Sequence, residues 1–109
     1  MQSQIKLEIS TGNGNTALAA NCGSINPTYQ PLIDIALQGL SIADIHGQTA
    51  EKIGSGYLDS AVDSLRNNRS AYQSLTAAQI DLRPQVLDFV RLWRDACRAH
   101  PLSTIYIVP

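Results

Sequence analysis

Four side chains able to ligate a metal or act as nucleophile and base are spread along the chain: Cys22, His46, Cys97 and His100. Cys97-x-x-His100 has the spacing of a ligand pair, and with Cys22 and His46 the donors would suffice for one tetrahedral zinc. Only that pair is local, however, and Cys97 falls on the apolar stripe of a long helix. The plainer reading is a core thiol plus a histidine that favours the helix C-terminus through its dipole. Cys22, in Asn21-Cys22-Gly23, could attack as a thiolate if either histidine approached it in space. No basic residue lies beside it in sequence to depress its pKa, so it reads as a loop thiol. With no complete catalytic constellation and no cofactor motif, the chain is read as a non-enzyme, with no catalytic residue, metal or cofactor assigned.

Gly12-Asn-Gly14-Asn-Thr-Ala17 matches G-x-G-x-x-A directly after a strand, the pattern by which backbone amides meet a pyrophosphate at a helix start. The preceding strand is half polar, Gly23 would cut any helix that followed, and the chain is too short for a dinucleotide domain. The match therefore reads as a flexible turn.

The arginines are the remaining candidates. Six of the eight cations are Arg66, Arg69, Arg83, Arg91, Arg94 and Arg98, all in the C-terminal half. Arg91, Arg94 and Arg98 share one edge of the long helix, where guanidinium groups could grip phosphate or carboxylate by paired hydrogen bonds. Asp88 and Asp95, three or four residues away, would neutralise much of that row. We assign partner binding to Arg83, Arg91, Arg94, Arg98, Arg66 and Arg69, against the plainer reading of a solvated, self-paired face. The same arginines carry the alternative of nucleic-acid binding. A helix-turn-helix over residues 77–99 fits poorly, because its second helix would present bulky apolar residues where base contacts are needed.

These residues need a scaffold. The chain has 109 residues, 44% hydrophobic and 16% charged, with net charge −1, which fits one domain, residues 1–109, and supplies no field for nucleic acid or anionic membranes. Two cysteines are too few for a disulfide framework, no secretory signal is visible and no apolar run nears the length of a membrane span. A cytoplasmic protein is expected.

Residues 75–100 are the main helical signal. Thr76-Ala-Ala-Gln79 forms a capping box with Leu75 and Ile80 as its staple, Pro84 suits a first helical turn, and His100-Pro101 stops the helix. Val86, Phe89, Val90, Trp93, Ala96 and Cys97 fall on one side. Residues 4–10 alternate as a half-buried strand. Residues 13–24 read as a long, mobile loop: Asn13-Gly14 is a strong turn dipeptide, but no apolar alternation follows it closely enough for a hairpin. A short helix carries Leu32, Ile33, Ala36 and Leu37, with Pro31 in its first turn and Gly39 past its end. Residues 41–53 read as a β-hairpin turning at His46-Gly47, with a helix through 49–53 as the alternative, and Gly54-Ser-Gly56 as a break. Residues 57–65 form a helix on Leu58, Ala61, Val62 and Leu65, ended by Asn67-Asn68. Residues 103–108 form a C-terminal strand beside the first. The fold class is therefore α+β, a small single domain in the ferredoxin-like β-α-β-β-α-β order with an extended helical second crossover.

Two fragments carry a resemblance. Lys6-Leu-Glu-Ile-Ser-Thr-Gly-Asn13 resembles the opening strand and turn of short proteins encoded by phages and other mobile elements, and Ile42-Ala-Asp-Ile-His-Gly-Gln-Thr49 resembles their Asp-Ile-Asn-Gly-Asn-Thr hairpin. The resemblance covers at most the first half of the chain and implies a mobile-element origin. The expected function is non-enzymatic binding of another macromolecule, as a phage or mobile-element inhibitor or accessory factor acting by protein–protein interaction. The arginine edge and the Gly-rich loop are the expected contacts, and a homodimer through an exposed sheet edge is a further option.

Overall fold

The computed structural model describes residues 3–38, 40, 42–67, 72 and 82–108. Its sheet begins with two antiparallel strands, β1 (Ser3–Gly12) and β2 (Asn15–Ile25), joined by Asn13-Gly14. Both turn residues have positive φ, 54° and 78°, the type I′ geometry that Asn-Gly adopts at little cost and that matches the twist of a hairpin. The mobile loop expected over 13–24 is thus a strand. Its periodicity is hidden by irregular register. Leu7 faces Ala20 but Glu8 faces Leu18, and Ile5 faces Gly23 but Lys6 faces Asn21, so Ala19 and Cys22 are extra residues on β2. The bulge at Cys22 turns that side chain into the core, where strict alternation would not place it.

β3 (Thr104–Val108) pairs antiparallel with the other side of β1, as the sequence predicts, setting Ile105 opposite Leu7 and Ile107 opposite Ile5. The strand order is β2-β1-β3. The far edge of β3 is covered by residues 46–49. The Gly47 N–H donates to the Ile105 carbonyl at 2.8 Å, and the Ile105 N–H donates to the Gln48 carbonyl at 2.9 Å. The Ile107 N–H donates to His46 Nδ1 at 2.9 Å.

The hairpin expected over 41–53 does not form. After α1 (Gln30–Ala36), a single helical turn, α2 (Ile42–Ile45), stands in place of the hairpin's first arm. The second arm is helical, as the alternative reading had it. Thr49 accepts from the Lys52 N–H and so caps α3 (Ala50–Lys52), a stronger local signal than the few β-formers around it. With this arm helical and β2 following β1 directly, the ferredoxin-like order is not present among the described residues. The fold is a small α+β arrangement of one three-stranded antiparallel sheet and helices.

The predicted break at Gly54-Ser-Gly56 is bridged. The chain continues from α3 through π-turns over Ile53–Leu58 into α4 (Asp59–Asn67). Gly54 is there because nothing larger fits: a Cβ on it would lie 2.7 Å from the Cβ of Cys97. Leu58, Ala61, Val62 and Leu65 are buried as expected. The long helix is described as α5 (Arg83–Ala99), with Pro84 in its first turn and Val86, Val90, Trp93 and Cys97 buried. The capping box at Thr76–Gln79, its staple residues, and the expected end signals Gly39 and Asn68 lie outside the described residues. One apolar core joins Ile5, Leu7 and Ile105 of the sheet to Leu32, Ile33, Leu58, Leu65 and Trp93 of the helices.

Candidate functional site

The arginine row is largely committed within the chain. Arg83 Nη1 donates to the carbonyls of Leu65 and Arg66 at 3.1 and 3.4 Å, supplying donors to the last turn of α4. Arg94 lies 3.6 Å from Asp59 and 3.2 Å from Asp95, and Arg98 donates to the same Asp59 carboxylate. Asp59, at the start of α4, therefore holds two arginines of α5. Asp95 pairs with its sequence neighbour Arg94, not at the three- or four-residue spacing expected, and Asp88 takes no part in these pairs. Arg91 and Arg66 are exposed, and Arg69 lies outside the described residues. The structure thus brings Arg94 and Arg98 together on an acid from another helix and sets Arg83 to a structural task. Asp59 escapes a reading of the sequence, because helical spacing pairs charges within a helix and says nothing across two.

The thiols are inert by burial. Both Cys22 and Cys97 are buried free cysteines. Burial pushes the Cys22 thiol up to about 11, and burial together with the nearby Cys22 pushes Cys97 up to about 12. A thiolate nucleophile at neutral pH is the opposite of what this surrounding favours. The zinc set is not assembled either: among the described residues no three His, Cys, Asp or Glu come together as ligands. His46 Nδ1 is occupied by the Ile107 N–H, and its ring meets Tyr106 edge-on at 5.6 Å between centroids. A pocket of about 420 Å³ beside it, lined by Ser3, Ile42, Ala43, His46 and Ile107, offers few polar groups to orient a ligand. Gly12 to Ala17 forms the hairpin turn and the start of β2, so no helix N-terminus stands behind it to hold a phosphate.

The surface the sequence concealed is the hairpin itself. Every residue from 9 to 18 is exposed on both faces of the ribbon. Ile9 continues the inward face of Ile5 and Leu7 but has left the helical layer behind and is 40% exposed; Leu18, on the opposite face beside Glu8, is 58% exposed. The Thr16 hydroxyl donates to Glu8 Oε1 at 2.6 Å and ties the two strands there. Isolated two-stranded hairpins are marginal in water, and this arm orders its residues while burying little of its own surface. The signal in the sequence was Asn13-Gly14, outweighed by the irregular pattern after it.

Among the described residues no helix is long and apolar enough to cross a membrane. No protein-family model, no curated protein and no solved structure matches the chain.

Proposed function

We propose that the protein works by binding another protein, with the projecting hairpin as its contact, in the manner of an inhibitor or accessory factor encoded by a phage or other mobile element. The exposed arm is the observation that carries this reading: apolar side chains, Ile9 at 40% and Leu18 at 58% exposure, stand on its two faces, and among the described residues none covers them. Specific interfaces are built around such apolar anchors with a polar rim. The polar rim here is Ser10, Thr11, Asn13, Asn15 and Thr16. The resemblance of residues 6–13 to the opening strand of mobile-element proteins supports the same reading. Pairing of Arg94 and Arg98 with Asp59 argues against the arginine edge as the main contact, whether for protein or for nucleic acid.

The test is affinity capture from a bacterial lysate with three baits: the unaltered protein, the arm variant Ile9→Ser with Leu18→Ser, and Arg91→Glu. A stoichiometric protein held by the first and third baits and lost from the second is expected. Retention unchanged by the arm variant would overturn the reading, as would nucleic acid, retained with a steep salt dependence, as the sole ligand.

A further inference from the structure

The tip of the arm sets an electrophile beside a nucleophile. Asn13 precedes Gly14 in a turn that is exposed throughout, and the Asn13 carboxamide makes no hydrogen bond among the described residues. The Gly14 N–H makes no backbone hydrogen bond among them either, and a Cβ at Gly14 would meet nothing within 4 Å. Three other asparagines are guarded. Asn21 Oδ1 accepts the Gly23 N–H at 2.9 Å. Asn26 Oδ1 accepts the Thr28 N–H at 3.0 Å, and its successor Pro27 has no N–H at all. Asn15 precedes Thr16, whose branched side chain crowds the nitrogen that would have to attack.

The turn also supplies the motion. Asn13 has φ 54°, which suits the first central position of both hairpin turns, I′ and II′. Rotating the Asn13–Gly14 peptide plane turns the first type into the second without moving the strands, and takes ψ of Asn13 to about −120°. At that angle the Gly14 nitrogen eclipses Cβ of Asn13, as a five-membered ring through Cα, Cβ and Cγ requires. Gly14 follows freely, because glycine accepts either sign of φ.

We propose that Asn13-Gly14 is a site of covalent self-modification in the folded protein, at which the asparagine is converted through a cyclic imide into isoaspartate and aspartate. The Gly14 nitrogen gives up its proton and attacks Asn13 Cγ. A new N–Cγ bond forms, the Cγ–Nδ2 bond breaks, and Nδ2 leaves as ammonia with that proton. Water then opens the ring. Addition at Cγ leaves aspartate, and addition at the main-chain carbonyl leaves isoaspartate, whose chain runs on through Cβ and Cγ. The sum is amide plus water giving acid plus ammonia, so no oxidant or reductant enters. The new carboxylate is the first charge between Glu8 and Asp34 and stands at the very tip of the arm. Isoaspartate also adds a main-chain carbon to a two-residue turn whose length sets the register of the hairpin. The reaction does not depend on what the arm contacts.

The experiment keeps the full, folded chain in mildly alkaline buffer and follows it by ammonia release and by mass spectrometry of its peptides, with fragmentation that separates isoaspartate from aspartate. The same chain in guanidinium chloride and the variant Asn13→Gly run beside it. Gly-Gly suits the same turn, so the variant removes the electrophile and keeps the hairpin. In the folded protein residue 13 should gain the mass of OH over NH2, with both products present. It should react about tenfold or more faster than Asn15, its equally exposed neighbour. The variant should lose the ammonia released early in the time course. Asn13 left intact in the folded chain while it reacts in guanidinium chloride would overturn the inference, because the turn would then protect the residue. Reaction at Asn15 as fast as at Asn13, or early ammonia release undiminished in the variant, would overturn it too.

Discussion

Replacing Gly54 by alanine tests the packing of the two long helical segments. The new Cβ would stand 2.7 Å from Cys97 Cβ, roughly 1 Å inside ordinary contact, and both residues are buried. Cys97 cannot yield by rotating its side chain, because Cβ is fixed by the backbone, so the π-turn segment and α5 must move apart. Overpacking of this kind costs about 1–3 kcal/mol. Alanine returns about 0.5–1 kcal/mol over glycine inside a helix. The net expectation is a loss centred on about 1 kcal/mol and reaching about 2.5 kcal/mol, read as a fall of about 5 °C, and up to about 11 °C, in Tm for a domain of this size. Gly56→Ala is the internal control. A Cβ there meets nothing within 4 Å, and its φ is not positive, so the propensity gain stands alone and Tm should hold or rise. Thermal unfolding followed by circular dichroism compares the two directly. Cys97→Ala should not relieve Gly54→Ala, since it retains the offending Cβ. Gly54→Ala as stable as the unaltered protein, or ranked above Gly56→Ala, would refute the close approach.

Further outcomes follow from buried groups. Arg83→Met should lower stability by about 1.5–3 kcal/mol in a denaturant titration, because charge-assisted hydrogen bonds to the Leu65 and Arg66 carbonyls are lost from the end of α4. Cys22 and Cys97 hold their protons more tightly folded than unfolded, so the stability they contribute is complete below pH 9 and declines as pH rises toward about 11 and 12. In that window each thiol should add a slope of about −1.4 kcal/mol per pH unit, and Cys22→Ala should remove its share. At pH 8 both should react with iodoacetamide far more slowly in the folded protein than after unfolding.

The helices were legible where apolar residues recur every three or four positions, as at Leu58, Ala61, Val62 and Leu65, or Val86, Val90, Trp93 and Cys97. The C-terminal strand was legible from its β-branched run. β2 was not, because bulges at Ala19 and Cys22 displace the alternation and because a strand that leaves the body needs few large apolar residues. The segment around His46-Gly47 looked like a hairpin turn, and the N-cap at Thr49 decided for helix. It serves the sheet nonetheless, as an edge cover made from backbone groups and an imidazole nitrogen. Among the candidate site residues, sequence placed Arg91, Arg94 and Arg98 on one helix edge correctly, but the acid that holds two of them lies on α4. Such pairing depends on how helices pack, which no local pattern encodes. The buried state of Cys22 has the same origin, since its side chain points inward only by virtue of the bulge.

The central claim is that the projecting hairpin, rather than the arginine edge, is where this protein meets its partners. Placing a photoreactive phenylalanine analogue at Leu18 in one sample and at Arg91 in another, then irradiating in lysate and identifying adducts by mass spectrometry, tests it most directly. Protein adducts concentrated at position 18 are predicted; adducts formed from position 91 with none from position 18 would contradict the account.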